Sequence, residues 1–194
     1  MTLFTRPKPL NALIIAPGSI TLIKGILKNS FFCVHRYYHE EASWMLDDLQ
    51  LYNRTGLVTL ITTHISKQER INTPFIIAFE TAPALLEITT PLVESVNVTP
   101  YAWDAFQLTI DPSLFYVTGI KRELLLQYQL LIHACALKKA HITTVTMVQL
   151  VSALHNRFSI ASPLDFPALK EQLAPYGSIN YVLQGLTLME GQSV

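Results

Sequence analysis

The sequence predicts an α/β protein whose mixed sheet begins as a three-stranded antiparallel meander and is flanked by helices. Three β-rich runs open the chain, separated by two short turns of residues that favour hairpins, at 13–16, 20–27 and 31–38. A second observation comes from 115–154, where the hydrophobic period changes twice and indicates the order strand, helix, strand, helix. Both stretches together predict a sheet that needs helices packed against it.

The composition supports one packed domain. Half of the 194 residues are hydrophobic, which supplies a sizeable core. Charged residues make up 14% and balance to zero at pH 7, so the sequence has no electrostatic footprint for DNA, RNA or an anionic membrane. We predict a flexible arm over 1–10 and a single domain over 11–194, with a small subdomain at about 81–118.

The opening strands are predicted to be covered on both faces. Residues 13–15 and 31–34 are apolar runs rather than clean alternations, as expected for strands with helices on either side. Ahead of them, Pro7 and Pro9 exclude a helix interior from the arm.

The middle of the chain predicts a helix followed by a strand. For 40–53 the pattern leaves helix and extended segment open. A helical stripe from 57 to 65 precedes a polar run, and the apolar run 75–79 then indicates a strand. A further strand is predicted at 85–89, and the Pro-punctuated segment 92–112 is predicted as loop plus one strand at 105–110.

The stretch 115–154 gives the most specific structural prediction. A strand at 115–118 leads into an amphipathic helix from Lys121, and a second strand at 141–145 leads into a second helical stripe. This order predicts a parallel pair of strands joined by a right-handed crossover, with the first helix on one sheet face. A short helix near 166–173 and a closing amphipathic helix over 179–189 complete the expected elements.

Cysteine usage and hydropathy indicate a cytoplasmic protein. Cys33 and Cys135 are the only cysteines and lie about a hundred residues apart, so we expect reduced core thiols rather than a disulfide framework or a metal site. No stretch of about 18 apolar residues runs unbroken, and the amino terminus lacks a convincing signal peptide.

Histidines are the one hint of a metal site. His35 and His39 would share a face on a helix, but they fall in a predicted strand, which separates residues four apart by about 13 Å. That distance is too long for one ion, so no metal site is predicted. His133 and His141 lack an acidic partner and are expected at the surface or at its boundary.

Catalytic motifs are missing as well. The sequence has no nucleophile elbow, no Walker loop and no dinucleotide-binding glycine motif, and its carboxylates are spread singly. We therefore predict no enzyme, no catalytic residues and no cofactor.

Three aromatic residues on the Pro-rich connection are candidates for anchoring a partner peptide, with a small local core as the alternative: Tyr101, Trp103 and Phe106.

The order of segments resembles the PilM family of type IV pilus assembly proteins, with its shorter HofM and competence-protein relatives. Four stretches carry the resemblance: LNALIIAPGSITLIKGIL, LFYVTGIKRELLLQYQLLIHACAL, HITTVTMVQLVSAL and YGSINYVLQGLTLMEG. The resemblance implies a reduced actin-like, ribonuclease H-like fold. It also implies a role in pilus biogenesis or DNA uptake, with the cytoplasmic tail of a PilN-like inner-membrane protein as partner and membrane contact only through that partner.

The sequence departs from this family where ATP would bind. Members that bind ATP carry an acidic residue at the end of the first strand, followed by glycine and small residues. Here that place is taken by Ala16, Pro17, Gly18 and Ser19, with no carboxylate, and proline lacks the N–H that a phosphate cradle needs. The resemblance thus implies a degenerate phosphate loop and a non-catalytic scaffold. The alternative is a divergent nucleotide-binding ATPase of the actin and sugar-kinase superfamily.

Overall fold

The computed structural model describes most of the chain, over residues 7–28, 31–43, 45–47, 50–51, 53–80, 86–89, 101–107, 115–156 and 171–192. The described strands, in chain order, are β1 Lys8–Ala16, β2 Ser19–Lys28, β3 Phe31–Glu41, β4 Met45–Asp47, β5 Gln50–Leu51, β6 Phe75–Phe79, β7 Leu86–Thr89, β8 Tyr101–Gln107, β9 Phe115–Lys121 and β10 Ala140–Thr144. The described helices are α1 Arg54–His64, α2 Lys67–Asn72, α3 Arg122–Ala134, α4 Val145–His155 and α5 Ile179–Gln192, with a 3₁₀ turn at Ala174–Gly177.

A five-stranded mixed sheet forms the centre, in the order β10-β6-β1-β2-β3. The pairs β1–β2 and β2–β3 are antiparallel, while β6 runs parallel to both β1 and β10. The predicted opening meander is therefore confirmed, and so is the strand predicted at 75–79. Because β1 begins at Lys8, the last three residues of the predicted arm belong to the sheet.

Helices cover both faces of this sheet, as the apolar runs of the central strands require. All five residues of β6 are buried, since a central parallel strand has side chains packed on both faces. One face packs against α1 and α3 through residues such as Leu13, Ile61 and Tyr128. The other packs against α4 and α5 through residues such as Ala12, Val148 and Leu186.

The edge strand β3 corrects one expectation. Cys33 is exposed rather than a core thiol, and Val34 and Tyr37 are 42% and 54% exposed. A strand at the edge of a sheet has a strand neighbour on one side only, and these three side chains of β3 lie open to solvent. Cys135 is buried as expected, and burial raises the pKa of its thiol to about 11, although Arg70 opposes the shift.

The predicted parallel pairing of the strands in 115–154 is wrong, although its strands and helices are observed. β9 is the central strand of a separate antiparallel sheet in the order β7-β9-β8, and β10 pairs in parallel with β6. Neighbouring short strands give β9 partners close in sequence, while the fully apolar β6 offers β10 a buried edge. Helix α3 therefore joins two sheets instead of crossing within one.

Several other boundaries differ from the sequence prediction. β8 covers 101–107 rather than 105–110, of which 108–110 lie outside the described residues. The open segment 40–53 contains the short pair β4–β5. The polar run after α1 is helix α2, which begins with a capping box between Ser66 and Glu69. Most of the helix predicted near 166–173 lies outside the described residues, and the closing helix is confirmed as α5.

Candidate functional site

The turn between β1 and β2 occupies the place of the predicted phosphate loop. Ala16 and Ser19 are paired in the β1–β2 register, so Pro17 and Gly18 alone form the turn. Gly18 does not adopt a positive φ, and its carbonyl accepts a hydrogen bond from the Ala42 N–H at 3.0 Å. The chain thus closes here as a tight hairpin, anchored to the end of β3.

This turn does not fit a nucleotide phosphate. A phosphate cradle needs several backbone N–H groups that converge on one point. Pro17 has none, and Ser19 already belongs to the strand ladder. No side chain from Ala16 to Ser19 is a carboxylate that could organise a metal ion. The residues present therefore disagree with the phosphate loop of an actin-like ATPase.

One acidic residue has its backbone beside the end of β1, on the neighbouring strand. Glu80 directly follows β6, and its backbone N–H donates to the Ile15 carbonyl at 2.7 Å. Sequence reasoning missed this neighbourhood, because only the parallel β1–β6 register brings Glu80 next to the end of β1.

The predicted partner residues lie on a strand rather than on a connection. Tyr101, Trp103 and Phe106 belong to β8, where their register partners on β9 are Lys121, Gly119 and Tyr116. β8 is an outer strand of its three-stranded sheet and pairs, among the described residues, only with β9. The binding role of the three aromatic residues stays a prediction.

A second site lies on the α1 side of the central sheet, lined in part by the end of α1 and the start of α2. We call it the polar cleft; it has a volume of about 520 Å³. Its polar lining includes Asn11, Lys24, His35, Arg36, His64 and Glu69, together with Thr63, Ser66 and Thr73. This volume falls in the range of about 300–1,000 Å³ that small-ligand sites occupy.

A β-bulge shapes the cleft. Lys24 pairs with Arg36 and Gly25 with Val34, so His35 is an extra residue in β3. A bulge re-aims side chains, which explains how the consecutive residues His35 and Arg36 both line the cleft. Gly25 permits the close approach of β3, because a Cβ there would lie 2.5 Å from the Cys33 carbonyl oxygen.

An ion pair fixes the floor of the cleft. The Lys24 ammonium lies 2.6 Å from Glu69 Oε1 and donates to the His64 carbonyl at 3.4 Å. Glu69 Oε2 accepts from the Ser66 N–H at 2.9 Å and from the Ser66 hydroxyl at 2.7 Å. Partial burial would raise the pKa of Glu69, but the hydrogen bonds from Lys24 and Ser66 outweigh it and lower the pKa to about 2.

This lowered pKa predicts a dependence of stability on pH. A carboxylate whose pKa falls from 4.5 to about 2 on folding stabilises the native state above its unfolded pKa, and the contribution is lost as pH falls towards 2. Solvent screens the pair, because the Glu69 side chain is 36% exposed, so the effect is modest. We expect the stability difference between the wild type and Glu69→Gln to shrink from about pH 6 to about pH 2.5.

Urea unfolding midpoints measured across that range check this expectation. Glu171→Gln is the matched control, because it removes an exposed carboxylate outside the cleft. A Glu69→Gln difference that stays constant over the whole range would contradict the assignment of the lowered pKa to Glu69.

Asn11 is the most unusual residue of the cleft. It is 3% exposed, and its side-chain Nδ2 has no hydrogen-bond partner among the described residues. Its backbone N–H, by contrast, is satisfied by the Pro74 carbonyl at 3.0 Å. A buried polar group without a partner costs about 1–3 kcal/mol, so its presence at this position calls for an explanation.

Sequence reasoning did not find the polar cleft. Asn11 and Lys24 interrupt apolar strand runs, and Gly25 within a strand is a known signal of a bulge. Ser66 and Glu69 have the spacing of a capping box. These signals were present, but only the strand register shows that the five residues share one site.

The predicted absences concern metals and membranes. His35 and His39 are both on β3, as expected, and His39 Nδ1 lies 2.8 Å from the Thr21 hydroxyl. The described ranges contain no cluster of three potential metal-ligating side chains. His133 and His141 are exposed, as predicted. Within the same ranges, no helix has the length and apolar character needed to cross a membrane.

The fold is similar to that of three solved structures. A chain of the PilM-PilN type IV pilus biogenesis complex matches with a TM-score of 0.54 at 12% identity, over 76% of this chain and 50% of that chain. The cytoplasmic domain of EpsL, an inner-membrane component of the type II secretion system of Vibrio cholerae, gives a TM-score of 0.46 at 8% identity, over 73% and 59%. A Bacteroides thetaiotaomicron protein with an actin-like ATPase fold and unknown function gives 0.45 at 12% identity, over 79% and 60%.

The match to the chain of the PilM-PilN complex, with a TM-score of 0.54, confirms the predicted fold class. No family model matches the sequence, and no curated protein matches it. Because the identity in this match is only 12%, it shows the fold alone. This chain spans half the length of the chain it matches in the PilM-PilN complex.

Proposed function

We propose that this chain is a non-catalytic cytoplasmic scaffold of a type IV pilus or DNA-uptake machinery, like the PilM and HofM group that its sequence resembles. Its partner would be the cytoplasmic tail of a PilN-like inner-membrane protein, and that partner would be its link to the membrane. The tight hairpin at Ala16–Ser19 is the main support for a non-catalytic role. It lacks the converging backbone N–H groups that would bind a nucleotide phosphate, while the rest of the fold is retained.

The three-stranded sheet is the proposed docking surface. β8 is an outer strand, and such a strand offers backbone N–H and C=O groups to an incoming extended peptide. The predicted aromatic residues Tyr101, Trp103 and Phe106 lie on this same strand. A partner tail that adds beside β8 would combine backbone pairing with aromatic contacts.

A pull-down with the cytoplasmic tails of inner-membrane pilus assembly proteins tests this proposal. We expect the folded wild type to retain one such tail, and the triple substitution of Tyr101, Trp103 and Phe106 by alanine to weaken retention. Tyr37→Ala is the control, because it removes an exposed aromatic residue of another strand. Failure of the folded protein to retain any tail, or an equal loss in the control, would count against the proposal.

The divergent nucleotide-binding ATPase is a second candidate. Glu80 favours it, because this carboxylate follows β6 next to the β1–β2 turn and could serve in place of the carboxylate missing from β1. Binding of MgATP separates the two candidates, since the scaffold proposal expects none.

A further inference from the structure

We propose that the polar cleft binds a small ligand through a carboxylate or phosphate group, held by the N–H donors of Asn11, Lys24 and Arg36. This inference does not depend on the partner or the process assigned above. It rests on three neighbouring strands that place an amide, an ammonium and a guanidinium along one wall of a cavity.

The strand register brings the three donors into one row. Asn11 on β1 pairs with Lys24 on β2, and Lys24 pairs with Arg36 on β3. Residues that pair directly across neighbouring strands have side chains on the same sheet face, with Cβ atoms about 4.5–5.5 Å apart. The row is therefore short enough for one oxyanion to contact adjacent members.

These donors retain hydrogen-bonding capacity. Asn11 is almost fully buried, and no described residue accepts a hydrogen bond from its Nδ2. An ammonium has three N–H groups, and Lys24 uses two of them on Glu69 and the His64 carbonyl. No described residue forms an ion pair with Arg36, whose planar fork suits a carboxylate or a phosphate.

The cleft does not suit a cationic ligand. Glu69 is the only carboxylate among the described residues that line the cleft, and both of its oxygens already accept hydrogen bonds, from Lys24 and from Ser66. Lys24 and Arg36 together outnumber this single negative charge. An incoming oxyanion would meet the unsatisfied donors and a net positive lining.

Titration calorimetry with inorganic phosphate and with citrate as probes tests the proposal. We expect saturable binding of at least one probe to the wild type. Binding of phosphate alone assigns a phosphate-bearing ligand, and binding of citrate alone assigns a carboxylate. Asn11→Leu, which keeps the size of the side chain but removes the amide, is expected to weaken binding about tenfold.

Two further variants keep the test decisive. Arg36→Gln changes an exposed residue of an edge strand, so it should fold even where Asn11→Leu does not, and it should also weaken the probe. Lys28→Gln removes a charge from the same strand as Lys24 but outside the cleft, and it should leave binding unchanged. No saturable binding of either probe, or an equal loss in Lys28→Gln, would overturn the proposal.

Discussion

Tyr128→Ala is expected to lower the free energy of unfolding by about 3–5 kcal/mol, as for other large aromatic side chains removed from a core. Tyr128 lies on α3, is fully buried, and stacks on Phe79 of β6 with ring centroids 4.4 Å apart and an interplanar angle of 19°. The pair joins α3 to the centre of the five-stranded sheet. Alanine would leave a cavity there and remove the aromatic contact.

Urea unfolding followed by circular dichroism measures this loss. Leu126→Ala is the control on the same helix, because Leu126 is 56% exposed and its removal should change stability by less than about 0.5 kcal/mol. If both variants lost the same stability, α3 would not pack on the sheet through Tyr128.

Gly185→Ala is expected to destabilise the protein by about 1–3 kcal/mol, which is the cost of overpacking a close contact. A Cβ at this position would lie 2.1 Å from the Val148 carbonyl oxygen, so α5 and α4 approach each other backbone to backbone. Intrinsic helix propensity favours alanine over glycine by about 1 kcal/mol, and here the steric clash should outweigh it. The sign of the change therefore reports on the contact between the helices.

Gly18→Ala is the matched substitution in open space, because no heavy atom of another described residue, apart from the two chain neighbours, lies within 4 Å of a Cβ placed there. It should leave stability unchanged or raise it slightly, since alanine restricts the unfolded chain. A stabilised Gly185→Ala variant would show that α5 does not pack against α4 as described.

Much of the central sheet could be predicted from local pattern. β1, β2 and β6 are apolar runs bounded by turn residues. Such strands can be recognised in the sequence without knowing which strands they pair with. The closing helix α5 was predictable for a similar reason, because its apolar residues recur at helical spacing.

Strand partnership was harder to predict. The sequence pattern of 115–154 is compatible with a crossover inside one sheet, but β9 pairs with β7 and β8, which lie earlier in the chain. Hydrophobic period and composition identify a strand but not the strand that it pairs with. The three short strands of this sheet also have weak sequence signals. The prediction therefore had the right elements and the wrong pairing.

The polar cleft could not be predicted from the sequence for a related reason. Its members come from three strands and from the junction of α1 with α2, and their separate sequence signals do not show that they meet. Lys24 and Glu69 lie 45 positions apart, and only the packed structure shows their ion pair at 2.6 Å. The bulge at His35 adds a one-residue shift that no periodicity argument would place.

Titration of the folded protein with MgATP in a calorimeter tests most directly the claim that this actin-like fold works without a nucleotide. The Ala16–Ser19 hairpin lacks both the carboxylate and the converging N–H groups of a phosphate loop, so we expect no saturable heat. Saturable binding with a dissociation constant in the micromolar range would contradict the scaffold account and favour the nucleotide-binding alternative.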